Sequence, residues 1–253
     1  MSIKTFPLTL EWERMITPKV RHLAFRYDGE DAFTFIPGQF ITIHFDVDDK
    51  QYKRSYSIAT IPNQSALIEF AAAYYPGGPG TELLYSLKPG DSVTTSGPFG
   101  RLILQEEAIS HLVLVATGTG ITPYRSMLPA LMHRLAQQPT LHITVLLGVQ
   151  KREDLLYAED FLALAQQQSR FRFQAHYSRE PLTDEHQPWE HTGYVQTAFD
   201  SLQLDPAQDV IYLCGNPKMI DDAFSALTHI GFATKNIRRE KYISSPAHKI
   251  KTT

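Results

Sequence analysis

A turn rich in glycine suggests a site for a phosphate-bearing ligand. The segment Gly118–Pro123 reads Gly-Thr-Gly-Ile-Thr-Pro and follows an apolar run. Glycines let the backbone approach a pyrophosphate, and the first turn of a following helix offers unpaired N–H groups and the positive end of its dipole. Because the third glycine of the full dinucleotide fingerprint is missing, a tight strand-to-helix connection explains the turn equally well.

Two more segments of this kind lie in the first half of the chain. Arg54–Ser57 joins an arginine, which can neutralise a phosphate, to a ring at Tyr56 that faces the same side of a strand. Gly77–Thr81 resembles a loop that opens a short helix. A half-exposed strand and a flexible hairpin loop are the respective alternatives. Taken together, the three segments indicate two nucleotide cofactors that meet between two domains.

The elements that must position these segments change in character near residue 105. Before it, six short alternating runs are separated by Gly, Pro, Asp and Asn, a pattern typical of a small antiparallel barrel or sandwich. We predict a six-stranded antiparallel β-barrel over residues 1–105. Its predicted strands are Phe6–Met15, Val20–Tyr27, Gln39–Phe45, Arg54–Ala59, Leu67–Tyr75 and Asp91–Ser96.

From residue 106 to residue 253, apolar strands alternate with helices. This pattern predicts a doubly wound parallel sheet covered on both faces, in which ligands bind at the carboxyl ends of the strands. The predicted strands are His111–Ala116, Leu141–Gly148, Phe171–Tyr177, Val210–Cys214 and Ile237–Ile243. The predicted helices are Pro123–Gln137, Glu153–Gln168, Tyr194–Leu202 and Pro217–Ile230.

Composition excludes several other classes of protein. Cys214 is the one cysteine among 253 residues, so neither an internal disulfide nor a four-cysteine metal site can form. The histidines show no metal-binding spacing, and a structural role is expected for those within strands: His22, His111 and His176. The net charge of −3 argues against general nucleic-acid binding. Since no apolar run approaches the length of a membrane span and no signal peptide is evident, we expect a cytoplasmic protein.

Five motifs, in order along the chain, resemble those of one enzyme family. Arg54–Ser57 is similar to the RxYS motif of the ferredoxin–NADP(+) reductases, Gly97–Gly100 to their GPxG motif, and Ala116–Ser126 to their ATGTGIAPFRS segment. Leu155–Phe161 resembles their LLYxEEF motif and Cys214–Met219 their CGxxxM motif. Because the motifs keep the family's order over residues 6–242, the chain is identified as a member of this FAD-dependent family, of the bacterial type.

The resemblance implies how FAD would be held in the barrel. Arg54 would bind the pyrophosphate, Tyr56 would stack on the isoalloxazine ring, and Ser57 would lie near flavin N5. The loop before the short helix would bind the pyrophosphate as well, with backbone contacts from the fifth strand. The implied FAD-binding residues are Arg54, Ser55, Tyr56, Ser57, Ala71, Pro79, Gly80 and Thr81.

The resemblance also implies NADP(H) at the strand ends of the second domain. A pair such as Ser178-Arg179 binds the 2′-phosphate of NADPH in the family, whereas the neighbouring carboxylate of Glu180 could favour NADH. The implied dinucleotide-binding residues are Thr117, Gly118, Gly120, Ser178, Arg179, Tyr194 and Gly215, and Tyr242 is implied to contact the flavin.

Four residues would surround the reacting rings: Ser57, Cys214, Glu240 and Tyr242. Tyr242 resembles the aromatic residue that covers the flavin in plant-type members until nicotinamide displaces it. Cys214 would shape the site, and a small buried hydrophobic residue is the alternative. Ile243–Thr253 extends past this tyrosine, as in bacterial members, and is expected to lie over the flavin or to be disordered.

The expected activity is hydride exchange between NADPH and FAD, with single electrons passing to ferredoxin or flavodoxin. These carriers are usually acidic, so a basic rim that includes Lys53, Lys241 and the tail is expected on a monomeric protein. The alternatives are an NAD(P)H-dependent reductase component of an oxygenase, a flavin or ferric reductase, and a non-catalytic electron-transfer subunit.

Overall fold

The computed structural model, which describes residues 4–243, contains two six-stranded sheets that follow one another along the chain. In the first sheet every hydrogen-bonded pair of strands is antiparallel, and the strand order is β4-β3-β6-β1-β2-β5. Its strands are β1 (Phe6–Thr17), β2 (Val20–Tyr27), β3 (Phe40–Val47), β4 (Lys50–Ser57), β5 (Ile68–Ala73) and β6 (Ser92–Phe99). The prediction of six antiparallel strands is confirmed.

The first sheet curls because its inward-facing residues share one apolar core. In β1 the alternating residues Leu8 and Leu10 are buried, as a strand with one face on a core requires. The edge strands β4 and β5 come together where the ring of Tyr56 stacks on Phe70, with ring centroids 4.9 Å apart. Helix α1 (Pro79–Ser86) lies beside this junction. Its far end is fixed by Arg21, which donates hydrogen bonds to the carbonyls of Leu84 (2.6 Å) and Leu87 (3.0 Å).

The second sheet is parallel throughout, with the strand order β10-β9-β8-β7-β11-β12. Its strands are β7 (His111–Thr117), β8 (His142–Val149), β9 (Phe171–Tyr177), β10 (Glu190–Thr192), β11 (Asp209–Gly215) and β12 (Ile237–Lys241). Helices α2 (Thr122–Ser126), α3 (Leu128–Gln137), α4 (Ala158–Gln167) and α5 (Pro217–His229) connect them. Alternate residues of β7 enter two different cores: Leu112 packs with residues of α3 and α4, and Val113 with residues of α5. The predicted doubly wound sheet is therefore confirmed.

Several predicted boundaries were wrong. The single helix Pro123–Gln137 is divided at Met127, because Pro129 has no N–H to continue the hydrogen-bond ladder of α2. The helix predicted from Glu153 begins only at Ala158, after Tyr157 adopts a left-handed φ of 58°. The short helix predicted over Tyr194–Leu202 is a 3-10 helix over Val195–Ser201. Strand β10 was not predicted.

A polar contact joins the two sheets. Arg125 of α2 donates to the backbone carbonyl of Ala59 (2.8 Å), to Glu69 of β5 (3.2 Å) and to Asp160 of α4 (2.6 Å). His22 of β2 lies 2.7 Å from the hydroxyl of Tyr157. Because these side chains are largely buried and paired across the junction, they hold the barrel against the ends of the parallel strands.

Candidate functional site

The end of β4 and the start of α1 bring two of the predicted segments together. A Cβ atom placed on Gly80 would lie 2.8 Å from Cγ of Arg54 and 3.3 Å from the hydroxyl of Tyr56. The hydroxyl of Thr81 donates to the carbonyls of Tyr75 (2.8 Å) and Gly78 (3.0 Å), which fixes the loop that opens α1. The aliphatic part of the Arg54 side chain therefore lies against the first turn of α1, which contains Pro79. Its guanidinium donates to the carbonyl of Lys53 at 2.8 Å and lies over the ring of Tyr52. A guanidinium and the N–H groups of a first helical turn both favour a phosphate.

The other predicted FAD residues occupy different positions around this point. Burial raises the pKa of Tyr56 to about 12, so its ring stays neutral and is available as a flat apolar surface. Ala71 is buried in β5 beside Phe70. Ser55 faces the opposite side of β4 from Arg54 and Tyr56, and its hydroxyl lies 3.1 Å from that of Thr42. The structure does not bring the side chain of Ser55 to the Arg54–Gly80 contact.

Three of the four predicted catalytic residues are hydrogen-bonded to one another. The hydroxyl of Tyr242 donates to Oγ of Ser57 at 2.6 Å, and the hydroxyl of Ser57 donates to Oε1 of Glu240 at 3.5 Å. Cys214 lies next to Glu240 in the register of β11 and β12. Ser57 ends a barrel strand, whereas Cys214 and Glu240 lie near the ends of β11 and β12 and Tyr242 follows β12. We call Ser57, Cys214, Glu240 and Tyr242 the junction cluster.

Burial governs the charge of the junction cluster. It raises the pKa of Glu240 to about 6, against the opposing effect of the hydrogen bond from Ser57. It raises the pKa of the Cys214 thiol and of the Tyr242 phenol well above their ordinary values. Cys214 is therefore a neutral thiol at neutral pH and lacks the thiolate character of a nucleophile. The cluster presents neutral groups and one carboxyl group that titrates below neutral pH.

A cleft of about 650 Å³ lies at the carboxyl ends of β7, β8, β9 and β11. Ligand sites of open parallel sheets occur at this edge. Seven of the predicted residues line the cleft: Thr117, Gly118, Ser178, Arg179, Tyr194, Gly215 and Tyr242. Gly120 lies behind the lining, where a Cβ atom would collide with the carbonyl oxygen of Cys214. Glycine is thus required at position 120 to let the turn pack against β11.

The turn after β7 and the turn after β11 are joined by Thr117. Its hydroxyl oxygen accepts a hydrogen bond from the N–H of Asn216 at 2.9 Å. Gly215 has a φ of +122°, and a Cβ atom there would lie 2.6 Å from the same hydroxyl oxygen. The side chain of Asn216 then accepts the N–H of Lys218 at 2.8 Å and caps α5. The floor of the cleft is therefore preorganised by its own hydrogen bonds.

The charged residues beside the cleft are unevenly placed. Arg179 is exposed and forms no ion pair within residues 4–243, while its backbone N–H donates to Gln150 (2.9 Å). The carboxylate of Glu180, which could favour NADH, accepts a hydrogen bond from the backbone N–H of Arg152 at 2.8 Å. Glu180 and Arg152 line a second cavity, separate from the cleft. At the end of β9, Arg179 therefore lines the cleft and Glu180 does not.

Comparison with known proteins agrees with this arrangement. Residues 7–103 match the family described as an oxidoreductase FAD-binding domain, and residues 114–224 match the oxidoreductase NAD-binding domain. Ferredoxin–NADP reductase B of Sorangium cellulosum (strain So ce56) is 33% identical over 239 residues, which cover 90% of this chain and 94% of that protein. The chain belongs to the ferredoxin–NADP reductase family. It is an oxidoreductase with an FAD-binding and an NAD-binding domain.

Other members of the family are similar over nearly the whole chain. Reductase component 1 of the terephthalate 1,2-dioxygenase of Comamonas sp is 27% identical, over 96% of this chain and 70% of that protein. The structure of a ferredoxin NADP+ reductase from Neisseria gonorrhoeae with bound FAD and NADP has a TM-score of 0.80 at 24% identity, covering 95% of this chain and 99% of that one. A cytochrome P450 reductase from Amycolatopsis has a TM-score of 0.81 at 25% identity, over 98% of this chain and 72% of that one.

The cleft is also lined by residues that were not among the predicted site residues. Lys19 and Ala73 reach it from the barrel, where the carbonyl of Lys19 accepts the N–H of Tyr74 at 2.7 Å. An exposed lysine in a hairpin turn carries no signal in the sequence, so Lys19 could not be predicted. Lys218 lies within the CGxxxM motif, so the sequence could have identified it as a site residue, but it was not predicted as one. His176, expected to be structural, lines the cleft as well.

The two lysines expected in a basic rim differ in their surroundings. Lys53 is exposed, whereas the ammonium group of Lys241 pairs with Asp221 at 2.7 Å. Of the predicted tail, all but Ile243 lies outside the described residues. Within residues 4–243, no helix is both long and apolar enough to cross a membrane, and no group of three or more His, Cys, Asp or Glu is placed to hold a metal ion.

Proposed function

We propose that this family member is an FAD-containing reductase that takes hydride from NADPH and delivers single electrons to ferredoxin or flavodoxin. The observation that carries the proposal is the position of Tyr242. Its hydroxyl bonds Ser57 of the barrel at 2.6 Å, and the same residue lines the cleft of the parallel sheet. One side chain thus links the two predicted cofactor sites.

The barrel residues fit FAD. Glycine at position 80 lets the first turn of α1, with its unpaired N–H groups, approach the Arg54 side chain closely, because a larger residue there would collide with that side chain. We propose that Arg54, Pro79, Gly80 and Thr81 hold the pyrophosphate and that Tyr56 supports the ring system. When bound there, FAD supplies the exchange between a two-electron hydride donor and a one-electron carrier.

The junction cluster would hold protons in place around the reacting rings. Ser57 accepts the hydrogen of Tyr242 and directs its own hydrogen toward Glu240, so the orientation of its hydroxyl is fixed from both sides. Tyr242 would act as a gate, because it bonds Ser57 and lines the cleft, and must move for nicotinamide to approach Ser57. Close and oriented approach of two rings accounts for much of the rate in such transfers.

The charges at the end of β9 support NADPH over NADH. Arg179 and Ser178 line the cleft, and the carboxylate of Glu180 is held by the backbone of Arg152. Lys19 and Lys218 add two cations to the lining and Asp154 and Asp222 add two carboxylates, of which Asp222 pairs with Lys218 at 2.9 Å and Asp154 accepts the N–H of Lys151. A site of this kind favours a ribose that carries a phosphate.

The proposal is tested by purified protein supplied with FAD and assayed anaerobically with each nucleotide and each carrier. We expect higher kcat/KM with NADPH than with NADH, and rapid reduction of both ferredoxin and flavodoxin. Preference for NADH together with failure to reduce either carrier would contradict it. Reduction of free flavin or ferric complexes alone would instead identify a flavin or ferric reductase.

A second candidate is the NAD(P)H-dependent reductase component of an oxygenase. It is supported by the similarity to the terephthalate dioxygenase reductase over 96% of this chain. The two candidates share the flavin chemistry and differ in the carrier. Transfer to an oxygenase-type iron–sulfur protein at a rate well above that to ferredoxin and flavodoxin would favour the second.

A further inference from the structure

His176 is a buried histidine whose ring has no hydrogen-bond partner. Its side chain, on β9, is 4% exposed, and neither Nδ1 nor Nε2 finds a partner within residues 4–243. Of the other two histidines expected to be structural, His22 bonds Tyr157 at 2.7 Å and His111 bonds Thr144 at 2.8 Å, each through one ring nitrogen. Nε2 of His22 and Nε2 of His191 also lack a hydrogen-bond partner within residues 4–243, but neither of these residues lines the cleft. Buried polar atoms in folded proteins are nearly always hydrogen-bonded, so we expect the ring of His176 to bond a group from outside the chain.

The surroundings of the ring show where that partner would come from. His176 lines the cleft, and it precedes Ser178 by two residues, so both side chains face the same side of β9. On one flank the ring of His191 stacks on it, with centroids 5.0 Å apart. On the other flank its partner in the sheet register is Gly148, which has no side chain and also lines the cleft.

The ring is neutral over the working range of pH. Burial, with a smaller contribution from His191, lowers the pKa of His176 to about 4. A neutral imidazole offers one donor and one acceptor, which matches a hydroxyl group or the edge of a purine better than a phosphate. The phosphate charge falls to Arg179, at the exposed end of the same strand.

We infer that His176 is a dinucleotide-binding residue that hydrogen-bonds an uncharged polar group on the adenosine half of the bound dinucleotide. The inference rests on the proposed function, because it requires a nicotinamide dinucleotide in this cleft. It assigns different roles to His176 of β9 and to Arg179, which follows that strand. His176 would bind a group that NADP(H) and NAD(H) share, and Arg179 would bind the phosphate that distinguishes them.

The test is calorimetric titration of FAD-loaded protein with NADP⁺, NAD⁺ and 2′,5′-ADP. In His176→Phe, which keeps a planar ring without polar atoms, we expect affinity for all three ligands to fall by the same factor of about ten. In Arg179→Ala, affinity should fall for NADP⁺ and 2′,5′-ADP and stay unchanged for NAD⁺. His191→Phe keeps the stacked ring and lies outside the cleft lining, so it should bind like the wild type.

Unchanged affinities in His176→Phe would overturn the inference while leaving the proposed function intact. Wild-type protein that binds none of the three ligands would overturn both. Should the phenylalanine variant fail to fold, His176→Asn retains a donor and an acceptor and should bind more tightly than His176→Leu. Equal binding by these two variants would count against the inference.

A dinucleotide with hypoxanthine in place of adenine identifies the group that His176 contacts. If the tenfold effect of His176→Phe persists with this analogue of NADP⁺, the partner is a ribose hydroxyl or a ring nitrogen that both bases share. If the effect disappears, the partner is the adenine amino group. Either result supports the inference, whereas a His176→Phe variant that behaves like the wild type with every ligand contradicts it.

Discussion

The barrel half and the sheet half of the molecule assemble their ligand-facing residues in different ways. In the barrel, Arg54 and Tyr56 are neighbours on one strand, and one glycine at position 80 completes the contact. In the sheet, the cleft collects three or more residues from each of several strand ends, together with residues of the barrel that include Lys19 and Ala73. A site built from a local motif is visible in the sequence, whereas a site built across strand ends is visible only in part.

Reversal of charge at Arg54 should give the largest effect and should separate the two halves. In Arg54→Glu we expect FAD affinity to fall about a hundredfold, because a carboxylate would face the pyrophosphate. Affinity of the sheet half for NADP⁺ should be unchanged. Both are measured by titration of the flavin-free protein, with Lys53→Glu, the exposed neighbour on β4, as the control for charge. A similar loss of FAD affinity in Lys53→Glu would show that overall charge, and not a contact at Arg54, governs binding.

The junction cluster belongs to both halves, and Glu240 should make stability depend on pH. The pKa of Glu240 is raised from 4.5 to about 6 in the folded protein, so the unfolded chain loses this proton at lower pH. Stability should therefore fall as pH rises from 4.5 to 6, by about 2 kcal/mol, and stay low above pH 6. Glu240→Gln should lose this part of the pH dependence in denaturant titrations. Identical pH profiles for the two proteins would contradict a raised pKa.

Replacement of Arg179 tests whether the parallel-sheet half recognises the charge of the 2′-phosphate. In Arg179→Ala the KM for NADPH should rise about tenfold and the KM for NADH should change little, because the lost guanidinium is exposed and would contact only the 2′-phosphate. Arg172→Ala, an exposed arginine of the same strand outside the cleft lining, provides the matched control. An equal rise in both KM values would remove the basis for a preference for NADPH.

The smallest expected effect is a gain of affinity at the gate. Tyr242→Ser should bind NADP⁺ about fivefold more tightly, because nicotinamide would no longer have to displace a ring that bonds Ser57. Ile243→Ser, at the exposed neighbouring position, should bind like the wild type. Titration followed by the flavin difference spectrum measures both variants, and unchanged affinity in Tyr242→Ser would argue against gating.

The same contrast explains what the sequence could predict. Short alternating runs predicted all six barrel strands, and continuous apolar runs predicted β7, β8 and β11. The strands β9 and β12 were predicted as well, from their places in the strand–helix alternation. Strand β10 was missed because three residues, Glu190–Thr192, are too few to show a period. The division at Met127 could have been read from Pro129, since a proline inside a helical pattern removes a backbone donor.

The junction cluster could not be predicted from spacing. Ser57 and Tyr242 are 185 residues apart, and their hydrogen bond depends on how two domains pack. They were paired only through the resemblance to a family. Lys19 and His176 had no such support, because the contribution of each depends on which residues end up beside it. Resemblance thus supplied the shared residues of the site, and the structure was needed for the residues particular to this chain.

The central claim is that FAD on the barrel is reduced by a dinucleotide held in the cleft of the parallel sheet. Anaerobic mixing of FAD-loaded protein with NADPH in a stopped-flow spectrophotometer tests this claim most directly. The account predicts rapid and complete bleaching of the flavin absorbance. Protein that cannot retain FAD, or a bound flavin that stays oxidised in excess NADPH and NADH, would contradict it.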